Sequence, residues 1–272
     1  MIIYQKEIIT VFQSALYQTT STLIKLPNCL LLVDPNWLPS EIASIQQVIQ
    51  QQFPTTPLYL YFTHSDFDHI LAYNAFPGAQ TIASHAFDVR TDKEKIVQQI
   101  IDFDEIFYID RPYSISYPKI DFIIKEQKSI LNLEGTELVF YQTPGHNSDG
   151  LFLWIPSLQI WIVGDYLSNL EFPFITFDSK AYLQTLALAN QTLRHEAIQL
   201  MIPGHGKICF EREEIQSRID RDIRYIETLT NAVANQQIFD LKSFLVHYPH
   251  PNGLLNEHEK NVQQIKKELQ LL

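Results

Sequence analysis

Cysteine is almost absent from this chain: Cys29 and Cys209 are the two in 272 residues. They form no CxxC pair and sit among apolar neighbours, so they read as buried thiols and a redox centre is disfavoured. Positive charge is also scarce. Twenty Lys and Arg face 31 Asp and Glu, a formal charge of −11 with no long basic run, which disfavours a protein that binds nucleic-acid phosphates. No apolar run approaches the roughly 20 residues a membrane-spanning helix needs. The opening MIIYQKEIITVFQSALYQ lacks a basic segment followed by a long apolar core, so no secretory signal is read and the expected location is cytoplasmic. No fixed-period repeat is visible. What remains is a globular balance, 46% hydrophobic and 19% charged, in a chain long enough for one large domain or two small ones with a substantial core.

The apolar stretches EIITVFQSALYQ, STLIKL and CLLLVDP read as successive strands, because β-branched and aromatic residues recur between short polar breaks. WLPSEIASIQQVIQQQF has a helical period, with Ser40 as the expected N-cap and Pro54 as the stop. LYLYFT is a compact strand that runs into HSDFDHILAYNAFPG, which turns helical and ends at Pro77 and Gly78. QTIAS, EIFYI and ELVFYQT read as shorter strands, and the Pro-rich, aromatic stretch 111–119 as an ordered loop of the kind that shapes pockets. Further on, LFLWIP and LQIWIVGDYL are expected to pair antiparallel around a turn at Ser157 to Gln159. Three helical segments follow, one from Ser179, one from Arg212 and a weaker tail to Leu272, with the short strand LMIPGH before the second. The two halves share this strand and helix grammar.

Four side chains able to bind a metal fall within six residues: His64, Asp66, Asp68 and His69. In the extended exit from a strand, positions 64 and 66 face one way, while the turn into a helix aims 68 and 69 elsewhere, so two neighbouring metal positions are feasible. His146 follows the turn-like TPG after a strand, Asp165 follows IWIVG, and His205 follows MIPG. Each ligand thus stands just past an apolar strand, where a sheet can hold it rigidly. Taken singly, each has a plainer reading as a solvated turn residue or a helix cap; it is their recurrence in one structural context that points to metal chemistry.

The motifs THSDFDH at 63–69, TPGH at 143–146, GD at 164–165 and PGHG at 203–206 resemble, in order and spacing, the signatures of the metallo-beta-lactamase fold superfamily. The resemblance spans roughly residues 8–210. It implies an α/β fold, a four-layered αββα sandwich of two similar halves within a single domain over 1–272, with 211–272 a helical region that completes or covers it. It further implies two metal ions, with His64, Asp66 and His146 on one, Asp68, His69 and His205 on the other, and Asp165 between them. Asp34 in LLVDP matches the aspartate that supports the site from an early strand, hydrogen bonding a ligand imidazole or loop backbone. Where the family normally has histidine this chain has Asp66, a harder ligand; zinc follows from the resemblance, and the carboxylate brings iron and manganese into range.

The resemblance implies a cytoplasmic hydrolase for a small ester, thioester, lactone or phosphoester, attacking with metal-activated water, with catalytic roles for Asp68 and Asp165. A nuclease is disfavoured by the charge, and an antibiotic-cleaving enzyme by the missing export signal and the acidic ligand. Asp66 and the 18 residues between His146 and Asp165 also resemble flavodiiron proteins, which keeps a non-haem di-iron oxidoreductase with a separate electron donor as an alternative. A non-catalytic metal-binding interaction protein is a second one. Tyr166, Phe172, Phe174 and Phe177 are candidates for substrate contact or for packing alone. His85 and His195 read as solvated, and His247, His250 and His258 stay unassigned. The expected partner is a small-molecule substrate, with no nucleic acid and no membrane; the helices after His205 suit either a pocket lid or a homodimer surface.

Overall fold

The computed structural model describes residues 1–271. They divide into two compact units, Met1–Tyr141 and Gln142–Leu272. In the first, β1 (Ile2–Lys6), β2 (Ile9–Gln13), β3 (Thr20–Lys25) and β4 (Leu30–Val33) form an antiparallel meander. Helix α1 (Pro39–Gln52) then carries the chain to β5 (Leu58–Tyr61), which lies parallel to β4. After the short α2 (Phe67–Ile70) come β6 (Gln80–Ser84), α3 (His85–Asp88), α4 (Lys93–Phe107) and β7 (Phe122–Ile124), the strands again parallel, so one mixed seven-stranded sheet runs β1 to β7 in order. The hairpin β8 (Lys128–Leu133) and β9 (Thr136–Gln142) closes the unit.

The central strands are apolar on both sides, as strands covered on both faces must be. Leu30, Leu32 and Leu60 point into a core with Ile42 and Ile45 of α1 and Ile96 and Ile100 of α4. From the opposite face, Tyr61 meets Phe140 of β9 edge-on at 5.3 Å, and the Tyr59 hydroxyl reaches the Glu134 carboxylate at 3.1 Å. The loop 111–119 is ordered, as expected: Arg111 pairs with Asp104 through two bonds of 2.6 and 2.7 Å and donates to the Trp37 carbonyl.

Two expectations are corrected. Helix α1 starts at Pro39 with Leu38 as its N-cap, two positions ahead of Ser40, because a proline at the first helical position surrenders an N–H that would have no partner anyway. The Glu41 carboxylate serves the entry, accepting the Leu38 N–H at 3.0 Å and the Ala15 N–H at 2.9 Å. The stretch EIFYI is not a strand. It ends α4, whose stripe Ile96, Ile100 and Phe103 keeps a helical period, and Tyr108 closes the helix with a left-handed φ of 56°. Ile106, Phe107 and Tyr108 are left exposed, so their β propensity meets no sheet.

In the second unit β10 (Leu151–Ile155) and β11 (Ile160–Ile162) pair antiparallel around the expected turn, Trp154 opposite Trp161. Helix α5 (Ser179–His195) precedes β12 (Leu200–Ile202), which lies parallel to β11. The Asp178 carboxylate caps α5 by accepting the Ala181 N–H at 2.7 Å. The long α6 (Arg212–Ala234), α7 (Leu241–Leu245) and α8 (Leu255–Glu268) complete it. The helical tail therefore ends at Glu268, and Leu272 lies outside the described residues. No helix of the described residues is long and apolar enough to cross a membrane.

The last helix is docked by polar as well as apolar contacts. Buried Asn261 accepts the Ile175 N–H at 2.8 Å and donates to the Pro173 carbonyl at 2.7 Å and the Tyr225 oxygen at 3.0 Å. Tyr225 in turn donates to His258 Nδ1 at 2.9 Å, within a cluster of Phe172, Phe239 and Phe244. Burial holds the His258 imidazole below its usual pKa. Between the folded value and the ordinary one of about 6.5, the unfolded chain binds more protons than the folded one, so stability falls as pH falls through that window. The urea midpoint is therefore expected to drop on acidification below about pH 6.5, and His258→Gln, which keeps an acceptor but cannot titrate, is expected to flatten that dependence.

Candidate metal centre

The first group of ligands is built where β4 and β5 end. Asp34, directly after β4, is 2% exposed and carries a positive φ of 43°. Its N–H donates to the Tyr61 carbonyl at 3.0 Å, and its Oδ1 accepts the Thr63 N–H at 2.8 Å, so it is stitched to the neighbouring strand from both sides. Its Oδ2 accepts the Thr63 hydroxyl at 2.6 Å and His69 Nδ1–H at 2.9 Å. A carboxylate only accepts, so the Thr63 proton is committed to Asp34, and the Thr63 oxygen can only accept from His64 Nδ1–H, 2.9 Å away. One aspartate thereby fixes the tautomer of both imidazoles and leaves each Nε2 with a lone pair.

Those two nitrogens meet carboxylates. His64 Nε2 is 3.6 Å from Asp66 Oδ2, and His69 Nε2 is 3.5 Å from Asp68 Oδ2, with the two rings 4.1 Å apart. By these distances His64 pairs with Asp66 and Asp68 with His69. Asp66 occupies the N-cap of α2, yet its side chain makes no capping bond, so the plain reading of a helix cap does not describe it. His64, Asp68 and His69 are buried and Asp66 is half-buried.

The second group stands at the ends of strands in the other unit. The Thr143 N–H returns to the Gly150 carbonyl at 2.8 Å, closing the turn that carries His146. Gly145 in that turn has φ +142°, and any Cβ there would overlap the Tyr182 backbone of α5, so only glycine fits. Thr185 of α5 donates to the Pro144 carbonyl at 2.8 Å, and the buried Tyr166 hydroxyl, donating to Thr143 and accepting the His146 N–H at 2.9 Å each, fixes the histidine backbone. His146 Nδ1–H donates to the Phe174 carbonyl at 2.8 Å, again turning Nε2 outward. Parallel β11 and β12 bring Asp165 and His205 off one edge, held by Gly204 N–H to the Gly164 carbonyl at 2.6 Å. Asp165 Oδ2 lies 3.5 Å from His146 Nε2 and 3.3 Å from His205 Nε2.

These separations fit a metal. Two ligand atoms bound tetrahedrally at about 2.0–2.2 Å from one ion are about 3.3–3.6 Å apart, the range of all four nitrogen–oxygen pairs. They are too long for good hydrogen bonds. The donor set of imidazole and carboxylate suits zinc, iron or manganese.

Within the second unit a small cavity is lined by His146, Asp165, Glu171, Phe172, Phe174 and Asp222, among others. Of the residues singled out for substrate contact, Phe174 and Phe172 line this space, although Phe172 also stacks on Tyr225 at 4.4 Å. Phe177 is 47% exposed, and Tyr166 has its hydroxyl engaged as described. His85 and His195 are exposed. Two residues escaped the sequence analysis. Thr63 lay in plain view beside His64, and its role depends on a partner 29 positions away. Asp222 gave no signal, sitting among the charges of α6; it is fully buried, and desolvation pushes its carboxyl up to about 8.

The sequence model of the metallo-beta-lactamase superfamily matches residues 15–210. A metallo-beta-lactamase type 2 of Bacillus sp. (strain 170) is 31% identical over 71 residues, which are 25% of this chain and 28% of that protein. The sec-alkylsulfatase Pisa1 from Pseudomonas sp. superposes with a TM-score of 0.72 at 12% identity, over 97% of this chain and 49% of its own. A metallo-beta-lactamase family protein from Thermus thermophilus gives 0.65 at 12% identity, over 96% and 93%. At such identities the structural likeness shows the fold alone. The chain spans about half the length of the sulfatase and matches less than a third of the Bacillus protein.

Asp34→Ala is expected to lower metal affinity about 10–100-fold, since orienting partners of ligand histidines contribute on that scale. Thr63→Val removes the hydroxyl that His64 needs and leaves the His69 bond to Asp34 in place. It is expected to weaken one metal equivalent and spare the other, read by competition with a chromophoric chelator; equal loss of both, or of neither, contradicts the hydrogen-bond assignment.

Proposed function

Because the chain belongs to the metallo-beta-lactamase superfamily of metal-dependent hydrolases and has its α/β fold of mixed sheets and helices, we propose that it is a binuclear metallohydrolase acting on a small ester, thioester, lactone or phosphoester. By the family resemblance His64, Asp66 and His146 would hold one ion and Asp68, His69 and His205 the other, with Asp165 shared. The observation that carries this reading is the treatment of the imidazoles: in His64, His69 and His146 the Nδ1–H is spent on an internal acceptor, and Nε2 stands one coordination edge from a carboxylate oxygen. Asp165 Oδ2, within 3.5 Å of both His146 and His205, supports a bridging role.

The chemistry such a pair of cations supplies when bound is Lewis acidity, which acidifies water as a nucleophile and polarises the carbonyl or phosphoryl oxygen it attacks. The chain's own contribution is placement. Asp68 would hold a cation through one oxygen and could orient water through the other; as a ligand it would not be a free general base. Asp34 and Thr63 keep the imidazoles from turning, so the ligand set needs no reorganisation during the reaction. Phe174 and Phe172 give an apolar wall beside His146, suited to the body of a small substrate. Zinc is the expected metal, with Asp66 making room for iron or manganese at the first position.

Elemental analysis of protein purified without chelator is expected to give about two equivalents per chain. Turnover on a panel of esters, thioesters, lactones, phosphoesters and, given the sulfatase neighbour, sulfate esters is expected to fall more than about 100-fold in His146→Ala or His205→Ala. Asp165→Ala is expected to lose both ions, and Asp66→His to shift relative loading toward zinc. Metal-loaded protein inactive on the whole panel, or variants that keep both metal and turnover, would sink the proposal.

A further inference from the structure

Arginine occurs seven times in this acidic chain. Four of the seven line one surface cleft of the second unit, with a volume of about 560 Å³. Arg194 comes from the last turn of α5, and Arg212, Arg221 and Arg224 from α6, with His247 at one side. Along α6 the lining positions 212, 213, 216, 217, 220, 221 and 224 recur at helical spacing, so the cleft is one continuous face of that helix. The opposite face, with Ile215, Ile219 and Ile226, is buried.

Arg194, Arg212 and Arg224 have no carboxylate ion pair among the described residues, and Arg221 lies near the buried Asp222 carboxyl. Arg212 donates to the carbonyls of Glu196, at 3.1 Å, and Leu193, which holds its side chain and leaves its charge. Arg221 lies over the Tyr248 ring, Cζ 5.3 Å from the centroid, close to the Tyr248 hydroxyl and the Asp222 carboxyl, with Nε and Nη2 buried. Arg194 and Arg224 are exposed and make no side-chain bond among the described residues. By contrast Arg218, buried on the same helix outside the cleft, is paired with Glu214 at 2.9 Å. Two carboxylates do line the cleft: Asp220, which accepts from Gln216 at 2.8 Å, and Glu213. The lining therefore holds four fixed positive charges against two negative ones, in a chain whose total is −11.

We infer that this cleft is a binding site for a small organic phosphate whose body carries hydroxyl or amino groups. Arginines converging from two helices match the oxygens of a phosphate dianion by charge and fork geometry. Glu213 and Asp220 would repel a bare oxyanion and instead accept hydrogen bonds from the body of the ligand, and Gln216 and Ser217 also line the cleft. The volume is that of a small-molecule site and well beyond the needs of one phosphate ion. The residues are distinct from every ligand of the candidate metal centre, so this site stands or falls separately from the hydrolase assignment.

The test is calorimetric titration of the full-length, metal-containing protein at fixed ionic strength with glucose 6-phosphate, inorganic phosphate and glucose. Saturable binding is expected for glucose 6-phosphate, weaker binding for phosphate and none for glucose. Arg194→Gln with Arg224→Gln, both at exposed positions, is expected to cost about tenfold or more in affinity at unchanged metal content. Ser217→Glu, which adds a negative charge to the cleft and removes no arginine, is expected to do the same and serves if the double variant folds poorly. No saturable binding of the sugar phosphate, or binding equal in wild type and variants, overturns the proposal; the latter places the phosphate at the metal centre.

Discussion

Asp34 sits on the boundary between sheet and chemistry. Its backbone N–H belongs to the pairing of β4 with β5, and its carboxylate takes three hydrogen bonds that would otherwise leave two imidazoles free to choose their tautomers. The arrangement works because the two strands are parallel and in register, Val33 beside Tyr61, which sets the loops after both strands side by side. A slip of one residue would point Asp34 into the core and Thr63 away from it. The apolar packing of Leu30, Leu32 and Leu60 under α1 and α4 guards against that slip, so the core of the first unit is also what keeps its ligands in tune.

The second unit reaches the same end with backbone groups. His146 is oriented by the Phe174 carbonyl, and its turn is clamped against α5 through Gly145, Pro144 and Tyr166. Here a helix supplies the rigidity that a neighbouring strand supplies around Asp34. Asp165 and His205 depend instead on the parallel pairing of β11 with β12, which brings residues 40 apart in sequence to one edge. His64, Asp165 and His205 stand three residues past the ends of β5, β11 and β12, His146 lies on a turn, and Asp66, Asp68 and His69 lie on the N-cap and body of α2, so little conformational freedom is left to these side chains.

Helix α6 faces two ways. Ile215, Ile219, Tyr225 and Ile226 bury one side, and with them Asp222, whose carboxyl desolvation pushes up to about 8 and which lines the cavity with His146 and Asp165. The other side carries Arg212, Arg221 and Arg224, three of the chain's seven arginines. An acidic protein that concentrates its least replaceable cation on one helical face creates a local field opposite to its overall one, and such a field attracts anions over a Debye length of about 8 Å in the cell.

The candidate ligands were legible because their chemistry is local: a histidine or aspartate shortly after an apolar strand is visible in the order of residues. Strands such as LYLYFT and helices such as the one from Ser179 were readable for the same reason, since their period and stops lie within one segment. EIFYI was misread because so short an apolar run fits either period, and only α4's packing stripe decides between them. What tertiary structure alone decided are relations between segments distant in sequence: Thr63 and His69 on Asp34, Phe174 behind His146, Asp222 near Tyr248 and Arg221, and arginines of two helices around one cleft. Composition and periodicity record what each residue prefers. Which carboxylate accepts which proton is set by the strand and helix neighbours that folding supplies.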